Sequence, residues 1–527
     1  AICLSGDFDP DQMIATIDKY FGGLKPNTDL PKLDLPKETP ITAPVVREVI
    51  GPDAESVALA WRFPGAADKD VETLQVVSQI LYNGQAGLFD LDLTQQQKTL
   101  SSYCYPLTMS DYSALLMQGR PKQGQTLDEV KDLMLGELKK LRDGDFDEKM
   151  LEANINNFKL YQMQQLENND ARADMFVQSF VNGSDWADEV TALNRMSKLT
   201  KNDIVAFANK YLKDDNYAVI YKRQGKDPNE KKMPKPEITP IVMNRDTAST
   251  FLKEIQASVV TPIEPVFLDY SKDLTQLKAK SDIPVLYKQN TTNDIFQLIY
   301  LFDMGNNNDK ALGTAAQYLE YLGTADMTPE EVKSEFYRLA CSFFVSPGSK
   351  RTYVVLSGLN ENMPAAMALF EKLLANAQVN KEAYANMAND ILKSRKDAKL
   401  NQMQNFSRLV SYATYGPTNL LTEAELTSMD PQQLVDRIKQ LSSFKHRILY
   451  YGPSNQDDLL AIINKEHQAP EALKEIPEGN NFEALLTPET KIFIAPYDAK
   501  QIYMSQISNK GEKFDPAAES GRQLYNE

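Results

Sequence analysis

The chain has 527 residues, of which 57 are Lys or Arg and 73 are Asp or Glu, so its formal net charge is −16, and 42% of its residues are hydrophobic. This composition is typical of a globular protein of several domains, and its acidic surface disfavours nucleic acid as a partner. The three cysteines are far apart, which excludes a disulfide framework or a Cys-x-x-Cys metal knuckle, and no apolar run approaches the roughly 18 residues of a membrane span.

Residues 1–44 predict the tail of a domain. A short apolar strand, a Gly-Asp turn and a helix are expected within "AICLSGDFDPDQMIATIDKYF". No basic region precedes an apolar core, so the sequence predicts no signal peptide here. We therefore expect the body of this first domain to be missing from the 527 residues.

Residues 45–223 predict a complete α+β domain. A helix should begin at Thr126, where Glu129 completes a capping box, and should end before Gly144. An earlier helix is expected through "KDVETLQVVSQIL", after two opening strands. The remaining predicted elements are strands at 99–105, 111–120 and 216–223, and helices at about 147–182 and 200–213.

Residues 224–282 predict a Pro-rich linker. The stretch "QGKDPNEKKMPKPEITP" contains several prolines, each of which removes a backbone donor and restricts the chain. We expect an extended connection that runs along the surface.

Residues 283–484 predict a second complete domain with the same order of elements. A helix should begin at Thr328, with Pro329 at its first position, and an earlier helix should cover "AAQYLEYLGT". The other predicted elements are the strands "PVLYK", "IFQLIYLFDMG" and "HRILYYG", strands at 341–346 and 352–358, and helices at about 362–376 and 382–398. The predicted fold class is α+β: two complete related domains, each a mixed and mostly antiparallel sheet with helices packed on it, plus partial domains at both ends.

A long-range repeat supports the partial domain predicted for residues 485–527. "CLSGDFDPDQMIATIDKYF" resembles "LYYGPSNQDDLLAIINKEH", and Gly6 and Gly452 lie 446 positions apart. "REVIGPDAESVALAW" resembles "KIFIAPYDAKQIYMS" (491–505) at nearly the same offset, and Leu81-Tyr82-Asn83 is echoed by Leu524-Tyr525-Asn526. Residues 485–527 are therefore expected to begin a fourth domain with two strands.

The sequence "QYLEYL" has the spacing of a zinc-peptidase helix but lacks its histidines. Gln317, Glu320 and Tyr321 occupy positions i, i+3 and i+4, the layout of the inverted zinc motif H-x-x-E-H. A Gln amide and a neutral Tyr phenol are poor zinc ligands, and a lone Glu cannot lower the pKa of water to near neutrality. The residues by themselves favour an ordinary amphipathic helix, with Ala315, Leu319 and Leu322 towards a core and Glu320 solvated.

The order of these motifs resembles the pitrilysin/insulinase family of zinc metallopeptidases. "QYLEYLGT" is similar to the family's "HFLEHMxFxGT" context, and "LSGDFDPDQMIATIDKYFGGL" resembles the end of its first domain. "AWRFPG" and "KLTKNDIVAFANKYL" resemble its second domain, and "LSGLNENMPAAMALFEKLL" resembles its third. The resemblance implies four related domains closing around a peptide, of which the first binds zinc and the third is degenerate.

The resemblance assigns family positions to only three residues of this chain. Gln317 and Tyr321 take the two histidine positions, Glu320 takes the position of the base, and the helix of the third ligand corresponds to about 382–390, where no ligand is assigned. No catalytic residue and no metal ligand is predicted in this chain, and zinc is expected only in the parent protein. The parent would be a zinc metallopeptidase, and the chain alone should be inactive.

The two histidines do not predict a metal site. His446 lies in the closing strand, and His467 ends the next helix, 21 residues later, with no cysteine near either. No nucleophile elbow, P-loop or dinucleotide fingerprint is present.

The leading hypothesis is a non-catalytic portion of a zinc-dependent endopeptidase or oligopeptidase, forming part of the peptide-binding chamber and the hinge. The alternative is a stand-alone non-catalytic binding or assembly subunit that partners an active peptidase. Expected partners are peptide substrates, reached through the parent, and the missing N- and C-terminal domains. The resemblance implies a location in the periplasm or cell envelope, while substrate preference and oligomeric state stay open.

Overall fold

Two mixed β-sheets, each covered by helices, form most of the chain. The computed structural model describes all residues except 31–35, 229–233, 235, 241–246, 261, 263, 512–515, 517, 518, 520, 522 and 525–527. This is the α+β architecture predicted from the sequence. Within the described ranges, no helix is both long enough and apolar enough to cross a bilayer.

The chain enters the first sheet after helix α1 (Pro10–Phe21). The strands of the first sheet are β1 (Val45–Gly51), β2 (Ser56–Pro64), β3 (Ser101–Leu107), β4 (Tyr112–Arg120) and β5 (Tyr217–Gln224). Its helices are α2 (Asp70–Leu81), α3 (Leu127–Asp143), α4 (Lys149–Leu166), α5 (Asn169–Asn182), α6 (Trp186–Glu189), α7 (Ala192–Met196) and α8 (Lys201–Tyr211), with a π-helical segment at Phe89–Gln95. We call 45–224 the first unit.

The second sheet follows helices α9 (Thr250–Ala257) and α10 (Tyr270–Asp273). Its strands are β6 (Thr275–Lys278), β7 (Pro284–Gln289), β8 (Ile295–Phe302), β9 (Cys341–Pro347), β10 (Thr352–Leu359) and β11 (Arg447–Gly452). Its helices are α11 (Leu312–Leu319), α12 (Pro329–Arg338), α13 (Met363–Asn376), α14 (Lys381–Ala398), α15 (Gln402–Tyr415), α16 (Glu423–Ser428), α17 (Pro431–Gln440) and α18 (Gln456–Glu466). We call 275–466 the second unit.

The two sheets share one topology. The first has the order β1-β5-β2-β4-β3, and the second has the order β7-β11-β8-β10-β9 with β6 added at the β7 edge. In the first sheet β5 pairs parallel with β1 and antiparallel with β2. In the second sheet β11 pairs parallel with β7 and antiparallel with β8. The common order of elements read from the sequence therefore reflects a common strand topology.

Local sequence explains where the predicted helices begin. Thr126 accepts a hydrogen bond from the backbone N–H of Glu129, whose carboxylate accepts from the Thr126 N–H, and Thr328 and Glu331 form the same capping box. Gly144 follows α3 with a φ of 75°, the left-handed region that favours glycine at a helix end. Alternate residues of β2 and β4 are buried, because one face of the sheet packs on helices.

The predicted linker is not wholly extended. Helices α9 and α10 lie within 224–282, and β6 pairs antiparallel with β7, so part of the predicted linker belongs to the second sheet. Ser249 and Asp269 cap the two helices with their side chains, which is a local signal that the prolines obscured. The prolines that motivated the prediction fall partly outside the described residues.

Two predicted terminal elements do not form as strands. Residues 1–5 pair with no other described segment, although α1 follows them as predicted and buries none of its residues. Residues 491–505, which resemble β1 and β2 in sequence, also form no strand. In the first sheet β1 and β2 both pair with β5, whereas no described segment pairs with 491–505 in the way that β5 does. A strand without a partner leaves its backbone groups to water. The predicted echo at Tyr525-Asn526 lies outside the described residues.

Residues 484–509 instead lie along helix α15. The Tyr497 hydroxyl donates to the carbonyl of Leu400 at 2.6 Å, and the rings of Phe406 and Tyr503 have centroids 5.4 Å apart. Leu485 N–H donates to the carbonyl of Thr414 at 2.7 Å.

Candidate functional site

The zinc-like motif straddles the end of a short helix. Helix α11 ends at Leu319, Glu320 is the residue after it, and Tyr321 lies beyond the helix. Ala315, Leu319 and Leu322 are almost fully buried, as the apolar stripe predicted, while Gln317 is exposed. The single helical face expected for all three motif positions is therefore interrupted before Tyr321.

Gly323 allows the chain to turn directly after the motif. A Cβ atom on Gly323 would stand 2.3 Å from the carbonyl oxygen of Met327, and Thr324 N–H donates to that same carbonyl at 2.8 Å. Only glycine permits this close approach of backbone to backbone. The Gly-Thr ending noted in the sequence thus has a structural reason independent of any metal.

Glu320 lies towards solvent rather than towards a reacting centre. Its carboxylate forms an ion pair with Lys333 at 3.4 Å, and its side chain is 43% exposed. A general base needs to stand within hydrogen-bond reach of the water that it activates, next to a group that polarises that water. Glu320 has a lysine for a neighbour, which suits a surface ion pair.

Gln317, Tyr321 and Asp390 line one cavity of about 390 Å³. Asp390 lies on α14, the helix to which the sequence resemblance assigns the third-ligand region, and it lines the cavity together with Gln317 and Tyr321. Burial raises the pKa of Tyr321, and the charges of Asp390 and Glu320 raise it further. Its phenol is therefore held neutral.

Lys122 reaches this cavity from the first unit. Its ammonium donates to Asp390 Oδ2 at 2.9 Å and to the carbonyl oxygen of Gln97, also at 2.9 Å. Gln97 has a φ of 53°, is buried, and donates from Nε2 to the carbonyl of Ala383 at 3.0 Å. Burial raises the pKa of Asp390 while Lys122 opposes the rise. Sequence reasoning missed Lys122 and Gln97, because more than 260 positions separate Lys122 from Asp390 and no local pattern links them.

The donor set at this cavity does not fit zinc. A Gln amide and a neutral phenol are weak zinc ligands, and the one carboxylate already has an ammonium 2.9 Å away. Among the described residues, no cluster of three or more His, Cys, Asp or Glu has a metal-binding arrangement.

A larger cavity of about 1270 Å³ adjoins the first. Gln317, Ile391 and Arg395 line both cavities, so the two adjoin at the motif. The larger cavity lies between the loop after β8, the loop between β9 and β10, and helices α14 and α15. Arg395 donates from one guanidinium nitrogen to the carbonyl of Leu421 at 2.8 Å.

The two histidines meet in a buried polar cluster, which we call the histidine cluster: Tyr300, Glu371, His446 and His467. His446 Nε2 lies 3.0 Å from His467 Nε2, and His467 Nδ1 lies 2.6 Å from Glu371 Oε1. Tyr300 donates its hydroxyl to the same Glu371 oxygen at 2.9 Å. Their side chains tie β8, α13, β11 and α18 together in the core of the second unit.

The hydrogen-bond chain of the histidine cluster has a definite direction. The Phe444 carbonyl, 2.7 Å from His446 Nδ1, can only accept, so His446 carries its proton on Nδ1. Burial lowers the pKa of His446 to about 4, so its ring is neutral and its Nε2 accepts from His467. The hydrogen bond between His467 Nδ1 and Glu371 Oε1 then completes the hydrogen-bond chain. This is a structural arrangement, and the sequence prediction that the histidines form no metal site stays a prediction.

Comparison with known proteins identifies the chain's relatives. Residues 1–158 match the family described as the Peptidase M16 inactive domain. No curated protein matches the chain.

Solved structures of proteases are similar over much of the chain, at low identity. The periplasmic protease PqqL from Escherichia coli is 13% identical, with a TM-score of 0.37, covering 91% of this chain and 57% of that one. The ferredoxin protease FusC, in complex with Arabidopsis ferredoxin, is 12% identical with a TM-score of 0.45 and the same coverage. A protease from Helicobacter pylori is 20% identical with a TM-score of 0.39, covering 42% of this chain and 54% of that one. The chain thus spans less than two thirds of each of these relatives.

The chain thus combines two α+β units of one topology with a match to an inactive peptidase domain at residues 1–158. Residues 1–158 are thus similar to the inactive domain of the M16 peptidases, the family type that the sequence motifs resemble.

Proposed function

We propose that this chain forms part of the peptide-binding chamber and the hinge of a zinc-dependent endopeptidase or oligopeptidase. The zinc centre of the parent protein would lie in a domain outside these residues. The observation that supports this most directly is the cavity at Gln317 and Tyr321, where Asp390 is held by Lys122 and poor zinc ligands replace the histidines. A polar cavity without metal ligands suits holding a peptide rather than cleaving it.

The hinge would lie in the connection between the two units. The contacts between the units include polar ones beside a small apolar cluster of Ala86, Ala153 and Tyr337. Lys122 pairs with Asp390, Arg120 pairs with Asp397 at 3.0 Å, and Asn157 donates to the Tyr337 carbonyl at 2.9 Å. Polar interfaces separate at lower cost than apolar ones, so they favour relative motion of domains.

The test combines metal content with hydrolysis. We expect the dialysed 527-residue protein to hold well below one equivalent of zinc by elemental mass spectrometry and to cleave no unfolded peptide. The same protein should bind peptides. In a fluorescence anisotropy competition experiment, a mixture of unlabelled peptides should displace a labelled peptide from it. A full equivalent of tightly held zinc, or hydrolysis by the wild-type or Glu320→Ala protein, would contradict the non-catalytic assignment, and no peptide binding would contradict the chamber.

A stand-alone binding or assembly subunit is the second candidate. It is favoured by a row of large apolar side chains in 484–509, where Ile492, Ile494, Ile502 and Met504 are each more than 75% exposed. Such a row is typical of an interaction surface. This candidate predicts that adding the chain raises peptide hydrolysis by an active subunit of the same family, whereas the leading proposal predicts no change without a covalent link.

A location in the periplasm or cell envelope accompanies the leading proposal. It derives from the family resemblance, and secretion of the parent protein tested by cell fractionation would decide it.

A further inference from the structure

We propose that the two joined cavities at the motif bind an acidic peptide segment in preference to a neutral or basic one. We call the joined cavities the motif groove. This selectivity rests on the proposed function, since it names the class of peptide that the chamber would hold.

The size of the motif groove suits a peptide segment. Its two parts measure about 390 and 1270 Å³ and share the lining residues Gln317, Ile391 and Arg395. Pockets for small molecules usually measure about 300–1000 Å³, so the larger part alone exceeds that range. An extended segment of several residues fits two adjoining open cavities of this size better than a compact metabolite does.

The charge of the motif groove is opposite to that of the whole chain. Its lining contains two acids, Asp303 and Asp390, and both are already paired: Asp303 with Arg351 and Arg447, and Asp390 with Lys122. Its lining contains five cations: Lys310, which pairs with Glu425, Arg351, which pairs with Asp303, and Lys350, Arg395 and Arg408. A basic groove on a protein of net charge −16 concentrates the local potential that would draw an acidic ligand.

Some of these cations have donors to spare. In the part of the chain that the structure describes, neither Lys350 nor Arg408 forms an ion pair or hydrogen bond, and both are exposed. Arg395 uses one nitrogen for the Leu421 carbonyl and forms no ion pair with a described residue. A guanidinium presents five N–H donors in a fork that matches a carboxylate, so Arg395 and Arg408 can hold acidic side chains.

Amide side chains line the same groove. Among the described residues, the side chains of Asn307, Gln404 and Asn481 make no internal hydrogen bond. An amide can donate to a peptide carbonyl and accept from a peptide N–H, so it contacts the backbone whatever the side chain is. Backbone contacts from the amides and carboxylate contacts from the cations together specify an acidic peptide.

The experiment compares three labelled peptides on the full 527-residue protein. They share one length of about twelve residues, with Glu, Gln or Lys at alternate positions and Gly or Ser between them, and binding is measured by fluorescence anisotropy at about 0.05 and 0.2 M salt, over which exposed charge pairs weaken. We expect the Glu peptide to bind at least about tenfold more tightly than the Gln peptide, with the preference reduced at the higher salt.

The variant is the double substitution Lys350→Gln, Arg408→Gln. Both residues are exposed and unpaired in the described structure, so the fold should persist, which circular dichroism can confirm. We expect it to weaken binding of the Glu peptide about tenfold and to leave the Gln peptide unchanged. Lys439→Gln is the matched control, because Lys439 is an exposed lysine of the same unit outside the groove lining.

Each outcome decides the proposal. Equal binding of the Glu and Gln peptides would overturn acidic selectivity while the proposed peptide-binding function stands. Binding of no peptide would overturn both. Selective binding that the double variant leaves intact, or that Lys439→Gln weakens equally, would remove the motif groove as the site.

Discussion

The two units have one strand topology but differ in what fills their interiors. In the first unit, Trp61 faces the core from β2, stacks on Tyr217 with ring centroids 4.9 Å apart, and donates its indole N–H to the Lys213 carbonyl. In the second unit, Tyr300 faces the core from β8, where it contacts Glu371 and His467 of the histidine cluster. Both interiors are therefore mainly apolar, and the second also holds a connected polar cluster whose buried groups find partners.

A buried glutamate in each unit allows the two interiors to be compared by exposure and by hydrogen-bond partners. Glu371 of the second unit is 2% exposed and accepts from Tyr300 and the Gln468 backbone while contacting His467. Glu137 of the first unit is 5% exposed and has Lys140 as its ion-pair partner. Burial raises the pKa of Glu137 to about 7. The side-chain partners of Glu371, Tyr300 and His467, are in contrast themselves buried in the core of the second unit. The histidine cluster should thus be more sensitive to the loss of one member than the Glu137 site is.

The largest effect is expected from Glu371→Leu. It leaves His467 and Tyr300 without their shared acceptor, so the free energy of unfolding of the second unit should fall by roughly 3–5 kcal/mol. Hydrogen exchange of β8 and β11 peptides in urea would measure it, with β2 and β5 peptides as the internal reference.

Glu137→Leu is the matched control in the first unit. Because its carboxylate is already disfavoured by burial, its removal should cost less than about 1 kcal/mol or stabilise. Equal losses for Glu371→Leu and Glu137→Leu would show that the two interiors do not differ in this way.

The next effect is the pH dependence that His446 contributes to the second unit. His446 has its pKa lowered to about 4, so between pH 6.5 and 4 the unfolded chain binds more protons than the folded one at this position. Its contribution is fully present above about pH 6.5 and is lost as the pH falls through about 4, by up to roughly 3 kcal/mol.

The measurement compares urea unfolding between pH 7 and pH 4.5. Fluorescence of Trp61 and Trp186 reports on the first unit, which contains both tryptophans, and exchange at β11 reports on the second. His446→Phe should flatten the pH dependence of the second unit. A slope that is unchanged in His446→Phe would assign it to other groups.

A smaller effect is expected where the two units meet. Lys122→Met leaves Asp390, which is 20% exposed, without its cation, and should weaken the docking of the units by about 1–3 kcal/mol. A double-mutant cycle with Asp390→Leu would measure the coupling. A coupling below about 0.5 kcal/mol would mean that the pair does not hold the units together.

The smallest effect compares the two capping boxes. Thr126→Ala and Thr328→Ala each remove the side-chain acceptor at the start of a helix and should each cost about 1 kcal/mol. Thermal unfolding of each variant, with Thr→Ser at the same position as the conservative control, would test it. Unequal costs would show that the units differ in local helix energetics as well as in their interiors.

Much of the fold could be read from the sequence because its signals are local. The capping boxes at Thr126 and Thr328, the glycine after α3 and the alternation in β2 all depend on residues a few positions apart. The predictions for 1–5 and 491–505 were wrong because a strand needs a partner, and strand propensity says nothing of whether one is present. The helices in the predicted linker were missed because prolines outweighed the capping signals.

The sequence by itself determined the α+β class, the shared order of elements in the two units and the absence of histidine from positions 317 and 321. Only the tertiary structure decided that Lys122 pairs with Asp390, that the two histidines meet at Glu371, and that the cavities join at Arg395. The physical reason is distance along the chain: helices and turns follow from neighbouring residues, whereas ion pairs, buried polar clusters and grooves depend on how sheets bring remote segments together.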